Sequence, residues 1–253
     1  MVNDSILILR GVKKRFGGFT VVDGVDMDIV KGRLTMLIGP NGSGKTTLIN
    51  IISGFYKPDE GQISFDGKDI TNMHPNRIAQ LGLVRTFQIP SPFIKLSVLE
   101  NMLVASSNPG EAFFKAPIRR FWIKKERDDV ERAFKILDLL EMSHLYDKPS
   151  YTLSGGQLKL LEIGRALMFG AKMILMDEPA SGVNPTLAHK IFSHMVNIKD
   201  ALDITFLIVE HRLEIALKHV DDVYAMIQGR IVSHGSGDEV LRDPKVIEGY
   251  LGG

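Results

Sequence analysis

The chain has 253 residues, 44% hydrophobic and 24% charged, with 24 glycines, 11 prolines and no cysteine, which excludes a disordered or collagen-like chain. Lys and Arg number 31 against 30 Asp and Glu, a net charge of +1, so no basic surface draws in nucleic acid, no nucleic-acid partner is expected, and any anion site must be local. The lack of cysteine removes disulfides, thiolate catalysis and cysteine-ligated metal centres; with no signal-like start and no apolar run near the roughly 18 residues of a membrane span, a soluble cytoplasmic chain is expected.

Residues 5–38 read as strands, with apolar runs at Ile6–Leu9, Val25–Ile29 and Leu34–Ile38 separated by glycine-containing turns. A helical pattern begins at Thr46 and stops at Gly54, a residue suited to the left-handed position that ends a helix. Asp66-Gly67 marks a hairpin between Ile63–Phe65 and Lys68–Ile70, which places antiparallel strands in the N-terminal part. Residues 97–168 read as mostly helical, interrupted near Asn108-Pro109-Gly110 and Pro117, and suggest an inserted helical subdomain. Met173–Met176 and Ile204–Val209 are short apolar runs alternating with helices, the pattern of a buried parallel sheet. A hairpin near Gln228-Gly229-Arg230 and a short helical tail finish the chain.

Between a predicted strand and a predicted helix lies Gly39-Pro40-Asn41-Gly42-Ser43-Gly44-Lys45-Thr46, which fits the phosphate-binding pattern G-x-x-x-x-G-K-[ST]. Its glycines let successive N–H groups point at phosphate oxygens, the helix N-terminus adds partial positive charge, Lys45 neutralises the outer phosphates, and the Thr46 hydroxyl suits Mg²⁺. An ordinary glycine-rich turn is the plain alternative, and the strand-to-helix context argues against it.

Met173-Ile174-Leu175-Met176-Asp177-Glu178-Pro179 is an apolar strand ending in two carboxylates. Adjacent residues of a strand point to opposite sides, so Asp177 is free to hold Mg²⁺ while Glu178 addresses a water near the terminal phosphate. Carboxylates after a strand are usually solvated turn residues; the phosphate loop upstream favours the functional reading.

Ser154 and Gln157 form a capping box at a helix start. The cap alone does not require Gly155-Gly156, which leave backbone N–H groups open as a second anion site. If a site needs both kinds of helix end and one chain cannot fold its own two together, two chains must sandwich the nucleotide.

Taken together, the loop at 39–46, Leu153-Ser154-Gly155-Gly156-Gln157, Ile174–Pro179 and Glu210-His211 resemble an ABC transporter ATP-binding subunit over nearly the whole chain. The resemblance implies an α/β P-loop NTPase with a mixed central sheet, an N-terminal antiparallel β subdomain and an inserted helical subdomain. One ABC domain over 1–253 would have its core at 1–88 and 170–253 and its helical subdomain, carrying the signature, at 89–169. ATP and Mg²⁺ are the implied cofactors, held by Gly39, Pro40, Asn41, Gly42, Ser43, Gly44, Lys45, Thr46 and Thr47. Ser154, Gly155, Gly156 and Gln157 would meet the partner's nucleotide in an ATP-dependent dimer, a homodimer or one formed with a related ATPase subunit. Phe16 matches the adenine-stacking aromatic, with a core strand residue as its plain alternative. Gln88, in Thr86-Phe87-Gln88, matches the glutamine that senses Mg²⁺ and water and hinges the helical subdomain. The metal set is thus Thr46, Gln88 and Asp177, and the catalytic set Glu178, His211 and Gln88. Two positions depart from the family: Asn184 stands where Asp is common, keeping an acceptor without the charge, and Arg212 follows His211 where many relatives have Asp, an exchange for which the sequence supplies no physical reason.

Val84-Arg85-Thr86-Phe87-Gln88, Leu96–Asn101, Ala180–Pro185, the helical insert at about 106–128 and the tail at 243–252 resemble the branched-chain amino acid uptake (LivG-type) branch. That likeness implies transmembrane permease partners and a peripheral place on the cytoplasmic face of the membrane. Urea or amide uptake and lipopolysaccharide extraction subunits share much of this vocabulary, non-transport ATPases of DNA repair or translation share the Leu153–Gln157 signature, and all stay open as alternatives. The basic run Arg119–Arg127 is followed by Asp128, Asp129 and Glu131, reading as a solvated helix face with i,i+4 pairs, or as a docking face for the membrane partner.

Overall fold

In the six-stranded sheet at the centre of the computed structural model, odd and even residues face different cores, so both faces are buried. The structure describes residues 4–86, 91–106 and 123–251. In chain order it runs β1 (Ser5–Phe16), β2 (Phe19–Val30), β3 (Leu34–Ile38), α1 (Lys45–Ile52), β4 (Glu60–Phe65), β5 (Lys68–Asp69), α2 (Pro75–Gln80), β6 (Leu83–Arg85), α3 (Val98–Val104) and α4 (Ile123–Leu139). It continues with α5 (Gly155–Phe169), β7 (Met173–Asp177), α6 (Pro185–Leu202), β8 (Thr205–Val209), α7 (Leu213–Ala216), β9 (Asp222–Ile227), β10 (Arg230–Gly235), α8 (Gly237–Arg242) and α9 (Pro244–Leu251).

The large sheet has the order β10-β9-β3-β8-β7-β6. All its pairings are parallel except that of β10 with β9. Leu34, Met36 and Ile38 of β3, Ile174 and Met176 of β7, and Phe206 and Ile208 of β8 pack with α3, α4, α5 and α6. Leu37, Met173, Leu175, Leu207 and Val209 face the other way, onto α1 and the antiparallel sheet β2-β1-β4-β5. Period-two alternation between two hydrophobic layers explains why these strands are apolar at most positions, Thr35, Thr205 and the terminal Asp177 being the exceptions.

The long hairpin strands are less regular. β1 and β2 pair antiparallel from Ser5↔Val30 to Phe16↔Phe19, with register shifts at several points, one of them beside Gly11, whose φ is 58°. A bulge there flips the inside-outside alternation, which is why apolar periodicity marked only Ile6–Leu9 of a twelve-residue strand. The Asp66-Gly67 hairpin forms as expected, with φ of 50° and 74° suiting a primed turn.

The helical segment packs through small residues. Gly164 of α5 lies where a Cβ would come within 2.7 Å of the Met102 sulfur of α3, so the two helices approach closely. Ala133, Ile136 and Leu137 of α4 join the same core. Of the mixed-charge run, Lys125 pairs with Asp129 one turn on, as the i,i+4 reading expects. Asp129 is nevertheless buried and accepts from Ser106 Oγ at 2.7 Å, so this pair ties α4 to the end of α3 and is more than a solvated face. Arg119 and Arg120, and the Asn108-Pro109-Gly110 interruption, lie outside the described residues. Among the described residues no helix is long and apolar enough to cross a membrane.

Candidate functional site

The carboxyl ends of β3, β7 and β8 lie side by side at one edge of the large sheet, where an open parallel sheet gathers its ligands. β3 runs into the phosphate loop. Gly39 follows with φ 155°, and a Cβ there would lie 2.1 Å from the Met226 carbonyl oxygen. Gly44 has φ 103°, and its Cβ would meet the Val21 carbonyl oxygen at 2.5 Å. Only glycine fits either place.

Gly44 is also the N-cap of α1 and has no side chain with which to accept from the first-turn N–H groups. α5, α6 and α8, by contrast, are capped by Ser154, Asn184 and Ser236. The start of α1 therefore presents unsatisfied donors and the positive end of the helix dipole together. Lys45, buried, donates from Nζ to the carbonyl oxygens of Gly39 and Pro40, both at 2.9 Å, which folds the ammonium into the loop. Burial pushes its pKa below the ordinary lysine value, while Asp177 and Glu178 oppose the shift.

An open cleft of about 240 Å³ is lined by Asn41, Gly42, Gly44, Lys45, Thr46, Thr47, Asp177, Glu178 and His211, with Val21 and Val209. The structure thus brings together the centre of the phosphate loop, both strand-end carboxylates and the histidine. Strand alternation suggested opposite directions for Asp177 and Glu178, and here the expectation fails. Asp177 is the last residue of β7, whereas Glu178 takes a left-handed φ of 52° immediately before Pro179 and turns its side chain into the same cleft. A non-glycine residue in that region costs on the order of 1–3 kcal/mol and persists where neighbours hold it. His211 Nε2 stands 3.4 Å from Glu178 Oε1.

Burial raises the pKa of Asp177; Arg85 is the strongest opposing influence, and neighbouring Glu178 adds to the rise. Arg85 Nη2 lies 3.7 Å from Asp177 Oδ2, and Arg85 Nη1 donates to Asn50 Oδ1. The motif reading passed over Asn50 and assigned Arg85 no role at the site, although together they tie β6, α1 and β7 beneath the cleft. Among the described residues no three His, Cys, Asp or Glu side chains cluster as a metal site. A single carboxylate beside a loop hydroxyl still suits Mg²⁺, which keeps waters and takes its other ligands from phosphate.

Glu210, named in the sequence beside His211 but given no role of its own, is 2% exposed. Its Oε1 accepts from Ala180 N at 2.6 Å and its Oε2 from the backbone N–H groups of His211 and Arg212, at 3.0 and 3.2 Å. It joins the loop after Glu178 to the turn carrying His211. Arg212 acquires a physical reason here, since Nη1 donates to the Val183 carbonyl oxygen at 2.8 Å. Asn184 spends its side-chain oxygen on Leu187 N, 2.9 Å away, capping α6.

The remaining expected residues lie elsewhere. Phe16 is not in the core: it is 41% exposed at the end of β1, edge-to-face with Tyr56 at 5.3 Å. Tyr56 has no sequence pattern that announces it. Pro40 and Ser43 line a neighbouring hollow with residues of β9 and α9. Ser154 and Gln157 form the expected reciprocal cap, and neither they nor the two glycines between them line the cleft. Gly155 faces open space, whereas a Cβ on Gly156 would lie 2.4–2.7 Å from the Leu187 side chain. Gly156 therefore has a packing reason of its own. Gln88 lies outside the described residues.

A phosphate loop at the head of a parallel sheet, two carboxylates and a histidine in one cleft, and a covering antiparallel sheet define an ATP-binding and hydrolysing cassette of the P-loop class. Residues 22–181 match the ABC transporter family, and the chain belongs to it. A probable branched-chain amino acid transport ATP-binding protein, LivG, of Methanocaldococcus jannaschii is 52% identical, with 99% of this chain and 100% of the relative aligned. A high-affinity branched-chain amino acid transport ATP-binding protein of Pseudomonas aeruginosa, BraF, is 33% identical over 98% of each chain. Among solved structures, the ADP conformation of an ATP-binding cassette of an ABC transporter superposes with a TM-score of 0.85, at 51% identity over 98% of this chain and 99% of the other.

Proposed function

We propose that this chain is the ATP-binding subunit of an importer for branched-chain amino acids, working as an ATP-dependent dimer on transmembrane permease subunits at the cytoplasmic face of the membrane. The observation that carries the hydrolytic part is the meeting of Lys45, Asp177, Glu178 and His211 in one cleft. The transported class is carried by the relatives' names and by identity along nearly the full chain.

In this reading Lys45 and the backbone amides of Gly42–Thr47 hold the phosphates, and Phe16, backed by Tyr56, stacks on adenine. Thr46, Gln88 and Asp177 hold Mg²⁺, which when bound neutralises charge on the terminal phosphates. Glu178 accepts a hydrogen bond from the attacking water, and His211 engages the terminal phosphate. The antiparallel hairpins with the large sheet form the core, and 89–169 forms a helical subdomain whose Ser154–Gln157 end meets the nucleotide on the partner chain. The test is light scattering after size exclusion for Glu178→Gln with and without Mg-ATP, beside steady-state ATPase of the parent chain. An ATP-dependent dimer of the variant together with turnover by the parent is expected. A variant that stays monomeric, or that hydrolyses ATP at the parent rate, overturns the reading.

A further inference from the structure

Lys159 is a lysine in an apolar stretch. It sits on α5 between Leu158 and Leu160, five residues after the N-cap Ser154, and is 9% exposed. Burying an ammonium without a partner is costly, and Lys159 has one: Nζ donates to the backbone carbonyl oxygen of Glu178 at 3.0 Å. That carbonyl belongs to the residue held at φ 52° before a proline. Glu210 fixes the peptide two residues further along through Ala180 N. The turn that aims the Glu178 carboxylate at the cleft is thus held from outside at two points, one of them on the helix that begins with Ser154.

We propose that Lys159 is a positioning residue for Glu178: its hydrogen bond to the Glu178 carbonyl holds the left-handed turn and links the placement of α5 to the orientation of the catalytic carboxylate. The proposal rests on the reading of Glu178 as the residue that polarises water. Displacing α5 by a fraction of an ångström would stretch this bond and release the turn, while the phosphate loop, attached to β3 and α1, would be left undisturbed. Lys159 therefore acts on turnover and not on nucleotide affinity. A lysine that merely satisfied a buried carbonyl would, when replaced, lower stability without separating the two.

The test compares Lys159→Met, of similar length and without a donor, with Lys159→Arg, which keeps one. Lys159→Met is expected to lower kcat at least tenfold, to leave the KM for ATP within twofold, and to speed backbone amide exchange at 178–182 while the strands of the large sheet stay protected. Lys159→Arg should recover most of the lost kcat. A Lys159→Met chain with kcat within twofold of the parent, a KM rising in step with the loss, or unchanged exchange at 178–182 overturns the proposal. So does an Arg variant as slow as the Met variant. Should Lys159→Met not fold, Lys159→Leu, which also lacks a donor, takes its place under the same criteria. Glu178→Gln measured alongside separates the two readings: if it turns over at the parent rate the role of Glu178 itself is wrong, whereas an inactive Glu178→Gln beside a parent-like Lys159→Met removes only the role of Lys159.

Discussion

His211 Nε2 lies 3.4 Å from Glu178 Oε1, although 33 positions separate the two in sequence. The proximity follows from β7 and β8 being neighbours in parallel register, with Asp177 paired to Val209. Glu210 reinforces it by bonding to both following turns. Since the ring touches the carboxylate that addresses water, His211→Ala is expected to reduce kcat by roughly 10²-fold, the lower end of what a positioned acid-base partner contributes. Nucleotide affinity should hold, because Lys45 and the loop amides are untouched. Steady-state ATPase beside equilibrium nucleotide binding checks the separation.

The neighbouring glycines of the α5 start predict opposite defects. Gly156→Ala places a methyl group against the Leu187 side chain, and overpacking of this kind costs about 1–3 kcal/mol. Gly155→Ala meets nothing within 4 Å and should stay within about 0.5 kcal/mol of the parent. Its effect should appear only in ATP-dependent dimerisation and turnover. Urea denaturation of both variants, together with ATPase, distinguishes packing from function.

Much of this was legible from the residues alone. The phosphate loop, the two central strands and the capped start of α5 are local patterns, each complete within about ten residues. The roles of Arg85, Asn50, Lys159 and Glu210 were not legible, because each depends on a contact 19 to 92 positions away, Arg85 with Asn50 and Asp177, Lys159 with Glu178 and Glu210 with Ala180, and no spacing rule connects them. A lysine flanked by leucines, at Leu158-Lys159-Leu160-Leu161, was the one available signal for Lys159. Strand ends were misjudged where backbone geometry overrides alternation, at Gly11 in β1 and at Glu178 after β7.

Arg85 and Asp177 form a largely buried pair beneath the cleft, with 14% and 10% of their side chains exposed. Removing one partner of a buried pair strands the other; fully buried cases cost about 3–5 kcal/mol. With a 3.7 Å separation, Arg85→Met should cost about 2 kcal/mol, below that range. Adding Asp177→Asn should recover part of the loss. A double-mutant cycle by urea unfolding measures the coupling, and strictly additive losses would show the pair to be energetically independent.

His219 predicts a pH effect on stability. Its pKa is held below the ordinary histidine value, first by burial and then by His189 and Lys218. Its ring stacks on Phe192 and its Nε2 lies 3.3 Å from His189 Nδ1. A base with a lowered folded pKa binds more protons when unfolded, so stability is complete above the unfolded value near 6.5 and falls as pH drops below it. The parent Tm should decline between pH 7.5 and pH 5.5 by more than that of His219→Gln. Equal declines would assign the acid sensitivity to other groups.

Asn184 does more than begin a helix. Because its oxygen is committed to Leu187 N, what the side chain can extend outward is the amide N–H₂, two donors and no charge. An aspartate at the same cap would have a second oxygen to spare and would ask a neighbouring chain for a cation or a donor. This chain offers donors instead, so the group that the beginning of α6 can bind is an acceptor, such as a carbonyl or a carboxylate.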